Sequence, residues 1–340
     1  MTTHSPQSCA TCARKDCRLS FVSRDIAPVA ERVAWVVDRA WPEYRRFAAA
    51  QMKPEDQLLS PGLFGRRLDA YNWPAGEVRA GMATLQRHLM LRQVATARGS
   101  VRQAAYLKAD EALAAALARH IDYRAQHLVI SQVFLPYLWR DGALGGRSFD
   151  VLMTRYPLAE LHARLDEVAI GHADSTTIAD FRAPDALVEQ EAEALSAARR
   201  IVTPHHDIAE GFGERAVWLD WDQPAPRTRR KGMRTAFLGP VITRQGAHTV
   251  REMAKYLAQP LIVFGAELEG ADFWGAVPVE RRSFGPGWLD DIAAILHPAV
   301  VTHEPRRLVE AVAHGVTVYA APSCGLAPGQ YRLLDLYTEA

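Results

Sequence analysis

Residues 304–326 run Glu304-Pro-Arg-Arg-Leu-Val-Glu310-Ala-Val-Ala-His-Gly315-Val-Thr-Val-Tyr-Ala-Ala-Pro322-Ser-Cys-Gly325-Leu326. Proline is tolerated at the first helical position, and glycine is favoured just past the last. Pro305 and Gly315 stand at those two places, so residues 305–314 predict a helix. The β-branched run that follows, 316–320, predicts a strand. Read outward from here, the same alternation fills the second half of the chain. Strands are expected at 235–239, 260–265, 279–284 and 295–301, with helices at 249–257 and 288–295. Five short strands alternating with helices describe a doubly wound, Rossmann-like parallel sheet.

The first half carries a similar texture from residue 127 onward. Strands are expected at 127–131, 149–153, 201–203 and 216–219. Helices are expected at 157–169, where Leu158, Leu161, Leu165 and Val168 recur every three or four residues, at 186–199 and at 206–212. Before residue 127 the pattern reads as helical. Ile26, Val29, Val33, Val36 and Val37 share a helical face within 25–50. Residues 58–73 read as loop, and 78–120 as helix broken near Gly99-Ser100. The expected fold is therefore α/β, with two Rossmann-like domains and a helical N-terminal extension. Its divisions fall at 1–24 (a cysteine-bearing segment), 25–221 (an N-terminal domain, helical part plus Rossmann-like sheet), 222–233 (a linker with two prolines and a basic cluster) and 234–340 (a C-terminal Rossmann-like domain).

Bulk properties narrow the classes. The 340 residues are 49% hydrophobic and 23% charged with a net charge of +1, which suits two ordinary globular domains. That balance makes no case for nucleic acid. No apolar run reaches the ~18 residues of a membrane span, and the N-terminus MTTHSPQSCATCARKDC lacks the apolar core of a secretory signal. A cytoplasmic protein with reduced cysteines is expected.

Three stretches carry candidate chemistry. Gly239-Pro-Val-Ile-Thr-Arg244-Gln-Gly246 follows the first strand of the second half. A strand, a glycine, a basic loop and a helix N-terminus in that order can cradle a phosphate. Residues 304–326 place Glu310 on the first turns of a helix at a sheet edge, where a carboxylate can accept both hydroxyls of a ribose. His205 and His206 follow the strand 201–203 at its carboxyl end, as Ser131, Gln132 and Arg155 follow theirs. A histidine there is a candidate base or phosphate donor, and equally an N-cap for helix 206–212.

The run from Leu308 to Ala320, followed by Pro322 and Gly325-Leu326, resembles the donor-site signature of retaining GT-B glycosyltransferases, E-A-x-A-x-G-x-P-V-x-A and then a loop ending in G-L. The resemblance implies a glycosyltransferase moving a sugar from a nucleotide-sugar, bound by the domain at 234–340, to a small-molecule or polymeric acceptor on the side of the domain at 25–221. It implies donor contacts from Gly239, Arg244, Gly246, Glu304, Glu310 and Gly325, and catalytic help from His205, His206 and Arg244. The chain departs from the pattern where Thr302 replaces the first glutamate of a spaced pair, with Glu304 the nearest carboxylate. It departs again where Thr317 replaces a proline.

Cys9-x2-Cys12-x4-Cys17 gathers three of the four cysteines within nine residues. Tetrahedral zinc or an iron–sulfur cluster needs four ligands. Cys324, or else His4, is the candidate fourth. The sequence thus leaves two alternatives to sugar transfer: a GT-B-like protein with a cysteine-bound zinc or [4Fe–4S] centre, and another nucleotide-sugar enzyme such as an epimerase.

Overall fold

The computed structural model describes residues 32–62, 77–97 and 99–334. The chain divides into two compact units. The first holds the described residues up to Met153 with Arg182–Thr203 and Glu214–Val217; the second holds Thr154–Phe181, Pro204–Gly213 and the described residues from Trp218.

The first unit is built on a seven-stranded sheet of order β3-β2-β1-β4-β5-β6-β7. Its strands are β1 (Arg32–Val36), β2 (Gln57–Ser60), β3 (Glu77–Arg79), β4 (Ala125–Ser131), β5 (Ser148–Leu152), β6 (Arg200–Thr203) and β7 (Ala216–Trp218). Pairing is parallel from β3 across to β6. Ala34, Val36, Leu58, Leu128, Ile130 and Val151 are fully buried, as expected of strands covered on both faces.

The sequence reading fails at the start of this unit. The described residues between 32 and 79 do not form a helical extension. They supply three of the seven strands, and among them helix is confined to Pro42–Gln51. Val33, Val36 and Val37 happen to keep helical spacing. A buried parallel strand shows no apolar–polar alternation that would set it apart. The expected loop at 58–73 likewise begins as β2. Downstream, helices Gly81–Gln93 and Gly99–Ala118 bear out the long helical reading and its break.

The second unit carries a six-stranded, wholly parallel sheet of order β10-β9-β8-β11-β12-β13. The strands are β8 (Arg234–Leu238), β9 (Leu261–Phe264), β10 (Val279–Arg282), β11 (Ile292–His297), β12 (Thr317–Ala320) and β13 (Arg332–Leu333). Counted from β8, the order is 3-2-1-4-5-6. The chain winds outward from β8, returns, and winds out the other way from β11. Ligands in such sheets bind outside the carboxyl ends of the strands where the winding reverses. Here that place lies between the loops leaving β8 and β11.

Helix Arg306–Ala313 forms as expected, its face of Leu308, Val309 and Ala311 buried. No helix forms at 288–295. Gly287 and Asp291 take left-handed backbone with φ of 74° and 67°, and Ile292 is already in β11. The basic run at 227–231 is partly fastened down within this unit. Arg229 donates to the carbonyls of Ile292 (2.8 Å) and His314 (2.9 Å), and Arg230 pairs with Asp291.

Candidate functional site

The two loops at the reversal are joined by close backbone approach. Gly246 lies in the left-handed region at φ 75°, and a Cβ there would meet the carbonyl oxygen of Pro298 at 2.3 Å. Two residues earlier, the Arg244 carbonyl accepts from the amide of Val300 at 2.8 Å. Only glycine gives both the conformation and the clearance at 246. Gly239 serves a neighbouring contact: its amide donates to the Phe264 carbonyl at 2.9 Å, and a Cβ would lie 2.2 Å from that oxygen.

Arg244 projects its guanidinium over the ring of Phe181, 3.7 Å from the centroid. Burial pushes its pKa down to about 10, and its Nε has no hydrogen-bond partner. His303, from the loop after β11, was missed in the sequence reading. Its Nε2 is also shut off from solvent without a partner. Burial first, and then the guanidinium charges of Arg244 and Arg155, hold this imidazole well below its ordinary value. His297, at the end of β11, places Nε2 2.8 Å from Thr302 Oγ1 and leaves Nδ1 unpartnered; burial lowers its pKa to about 4. Gln245 Oε1 and His248 Nε2 are buried and unpartnered as well. Buried polar atoms without partners are uncommon in folded proteins, and each asks for an explanation. Here three belong to the segments that follow β8 and β11, at Arg244, Gln245 and His303, with His297 at the end of β11 and His248 in the helix that follows Gly246, and the guanidinium charges acting on His303 are cationic. An anion entering this place would receive hydrogen bonds and relieve the desolvated charge together.

The other expected residues take varied positions. His205 caps helix His206–Phe212: Nδ1 accepts from the amide of Ile208 at 3.3 Å, so Nε2 carries the proton and donates to the Thr302 carbonyl at 3.0 Å. Burial, offset in part by Asp207, holds its pKa at about 4. His206 is half-buried, edge-on to Trp218, with Nδ1 3.6 Å from Glu210. Gly325 sits at φ 77° against His205, where a Cβ would lie 2.5 Å from the ring, and its carbonyl accepts from Trp221 Nε1 at 2.9 Å. Glu304 is exposed, 3.7 Å from Arg306. Glu310 lies half-buried on helix Arg306–Ala313 and accepts from Arg307 at 2.9 Å, while Arg307 also spans the rings of Phe284 and Trp288.

Cys324 is fully buried, and burial pushes its thiol up to about 12. Its expected partners Cys9, Cys12 and Cys17, with His4, lie outside the described residues. Among the described residues no three His, Cys, Asp or Glu side chains gather as a metal would need, and no helix is long and apolar enough to cross a membrane.

No family model matches the chain, and no curated protein does. Among solved structures it is similar to CalG4, the calicheamicin glycosyltransferase, at 13% identity over 86% of this chain and 80% of that one, with a TM-score of 0.41. It is similar to HepE of Anabaena in complex with UDP-glucose at 10% identity, 85% and 80% coverage and a TM-score of 0.41. It is also similar to a UDP-glucose:anthocyanidin 3-O-glucosyltransferase in complex with UDP, at 9% identity, 88% and 83% coverage and a TM-score of 0.42.

Proposed function

We propose that this protein is a glycosyltransferase that binds a nucleotide-sugar donor where the winding of its second sheet reverses. The observation that carries the reading is the buried pair Arg244 Nε and His303 Nε2, both unpartnered, with the charge of Arg155 also acting on His303. A diphosphate is the anion of matching size and charge for two such donors. The E-A-x-A-like run supports the rest of the donor: Glu310, on the first turns of helix Arg306–Ala313, offers its carboxylate to the ribose once Arg307 yields it.

In transfer, the bond from the sugar C1 to a phosphate oxygen breaks while an acceptor oxygen bonds to C1. Negative charge then builds on the departing diphosphate. Arg244 and His303 face that charge from a place largely cleared of water, where preorganised donors are worth most. His205 has both ring nitrogens engaged, so it enters this reading as a cap and not as a base. The leaving diphosphate itself offers an oxygen for the acceptor's proton. The acceptor is a small molecule or a polymer bearing a free hydroxyl.

The test is thermal stabilisation by UDP, GDP, ADP and TDP and by their sugars, with Arg244→Ala and Glu310→Ala alongside. A ligand at 100 times its Kd adds about 2.7 kcal/mol. One nucleotide is expected to raise Tm by several degrees and to lose that effect in both variants. If no nucleoside diphosphate shifts the wild type, the glycosyltransferase reading falls.

A further inference from the structure

Arg244 is placed by a neighbour that never touches it. Glu269, in the loop after β9, points its carboxylate between the segment preceding Arg244 and the segment preceding Phe181. From the first side it accepts from Thr243 twice, through the amide and through Oγ1, each at 2.6 Å. From the second side it accepts from the Thr176 amide at 3.2 Å, from Ser175 Oγ at 3.1 Å and from Thr177 Oγ1. The two segments also meet directly, Ser175 Oγ to Thr243 Oγ1 at 2.6 Å and the Thr243 amide to Thr177 Oγ1 at 3.2 Å. Ser175 Oγ in turn accepts from the amides of Thr177 and Ile178, which starts the turn that leads to Phe181.

One carboxylate therefore fastens together the stretch that ends next to Arg244 and the turn that leads, four residues on, to the ring it rests on. Burial alone would raise the pKa of Glu269, but the bonds from Thr177, Thr243 and Ser175 outweigh it and lower it. The group is thus an anion with its oxygens saturated by hydroxyls and amides. Burial, with no carboxylate acting on it, is what shifts Arg244. A carboxylate paired directly with Arg244 would fix it equally well and would cancel the charge an incoming anion needs. Spending the carboxylate on the backbone around Arg244 fixes the side chain and keeps its charge uncompensated.

We propose that Glu269 is a positioning residue that seats Arg244 on Phe181 for anion binding, an inference that rests on the donor site described above. The experiment measures inorganic pyrophosphate affinity by calorimetry for wild type, Glu269→Gln, Arg244→Ala and the double variant, well below each Tm. Hydrogen exchange over 175–181 and 243–246 is followed on the same proteins. The amide of glutamine presents an N–H₂ to donors that need an acceptor, so the staple opens without a change of size. Glu269→Gln is expected to weaken pyrophosphate binding about tenfold, to have no further effect in the Arg244→Ala background, and to speed exchange in both segments. Unchanged affinity in folded Glu269→Gln, or the same loss with Arg244 already removed, overturns the proposal. If wild type and Arg244→Ala bind pyrophosphate alike, the donor-site reading fails. The exchange data then still decide whether Glu269 holds the two segments, and unchanged exchange overturns that too.

Discussion

Two regions of this protein bring arginine and histidine together in buried surroundings, and they end in opposite states. At the amino edge of the first sheet, Asp150 in β5 is fully buried and accepts from Arg199 (3.0 Å) and Arg200 (2.6 Å), with His127 Nε2 at 3.2 Å. Burial alone would raise this carboxyl, but His127 and the two arginines outweigh it and hold it far below the ordinary range. At the carboxyl edge of the second sheet, Arg244 and His303 have buried nitrogens and no such carboxylate. The first cluster is complete in itself and stabilises the fold. The second is incomplete, and its incompleteness is what points to a ligand. Strand direction accords with this, since open parallel sheets bind ligands at the carboxyl ends of their strands.

The largest effect that could break the contrast is at Asp150. Asp150→Asn leaves two arginines without their counter-charge. Because both can turn toward water, the expected loss is about 3 kcal/mol, at the low end for a broken buried pair. Urea unfolding measures it, and pyrophosphate affinity is expected to stay as in wild type. A loss of affinity equal to that of Arg244→Ala would end the distinction between the two regions.

Arg244 should behave in the reverse sense. Its lowered pKa means that the folded state holds this charge at a cost that the unfolded chain does not carry. Arg244→Met is expected to raise stability in the absence of ligand by roughly 2 kcal/mol, while abolishing nucleotide-induced stabilisation. A variant that is both less stable and fully competent to bind would show that the guanidinium serves packing alone.

The smallest effect at any one pH step is a pH dependence that sharpens the comparison. His205 and His297 have folded pKa values of about 4, against an unfolded value near 6.5. The unfolded chain therefore binds more protons as pH falls from about 6.5 to about 4, and stability declines across that window. Asp150 is also depressed, but as a carboxylate its contribution is present above about 4 and is lost only at lower pH. His297→Gln should remove up to about 1.4 kcal/mol per pH unit of the slope between 6.5 and 4 and leave the steeper acid loss below 4 intact. Denaturant midpoints measured every half unit of pH would separate the two windows.

Legibility from sequence differed between these regions for physical reasons. Helix Arg306–Ala313 was readable because Pro305 and Gly315 act locally, through backbone conformation. Helix Leu158–Gly171 was readable from its spacing. β1 was not, since Arg-Val-Ala-Trp-Val carries no periodicity of its own when both faces are covered. At the site, Arg244 stood out as a basic residue in a loop between strand and helix. His303 had no local mark, and Phe181 and Glu269 lie 63 residues before and 25 after Arg244. That Gly325 also packs against His205 had no mark in the sequence, since the two lie 120 residues apart.

The sequence by itself determined the alternation of strand and helix, the ends of several elements and the presence of a nucleotide-site-like run around Glu310. Those follow from forces acting within a few residues: backbone conformation, capping and side-chain periodicity. The tertiary structure decided the strand order that places the reversal between β8 and β11. It also decided which histidine lies beside Arg244, and that the nearby carboxylate of Glu269 is spent on backbone and hydroxyls. Desolvation and charge pairing depend on which distant segments meet, and only the packed chain brings them within reach of one another.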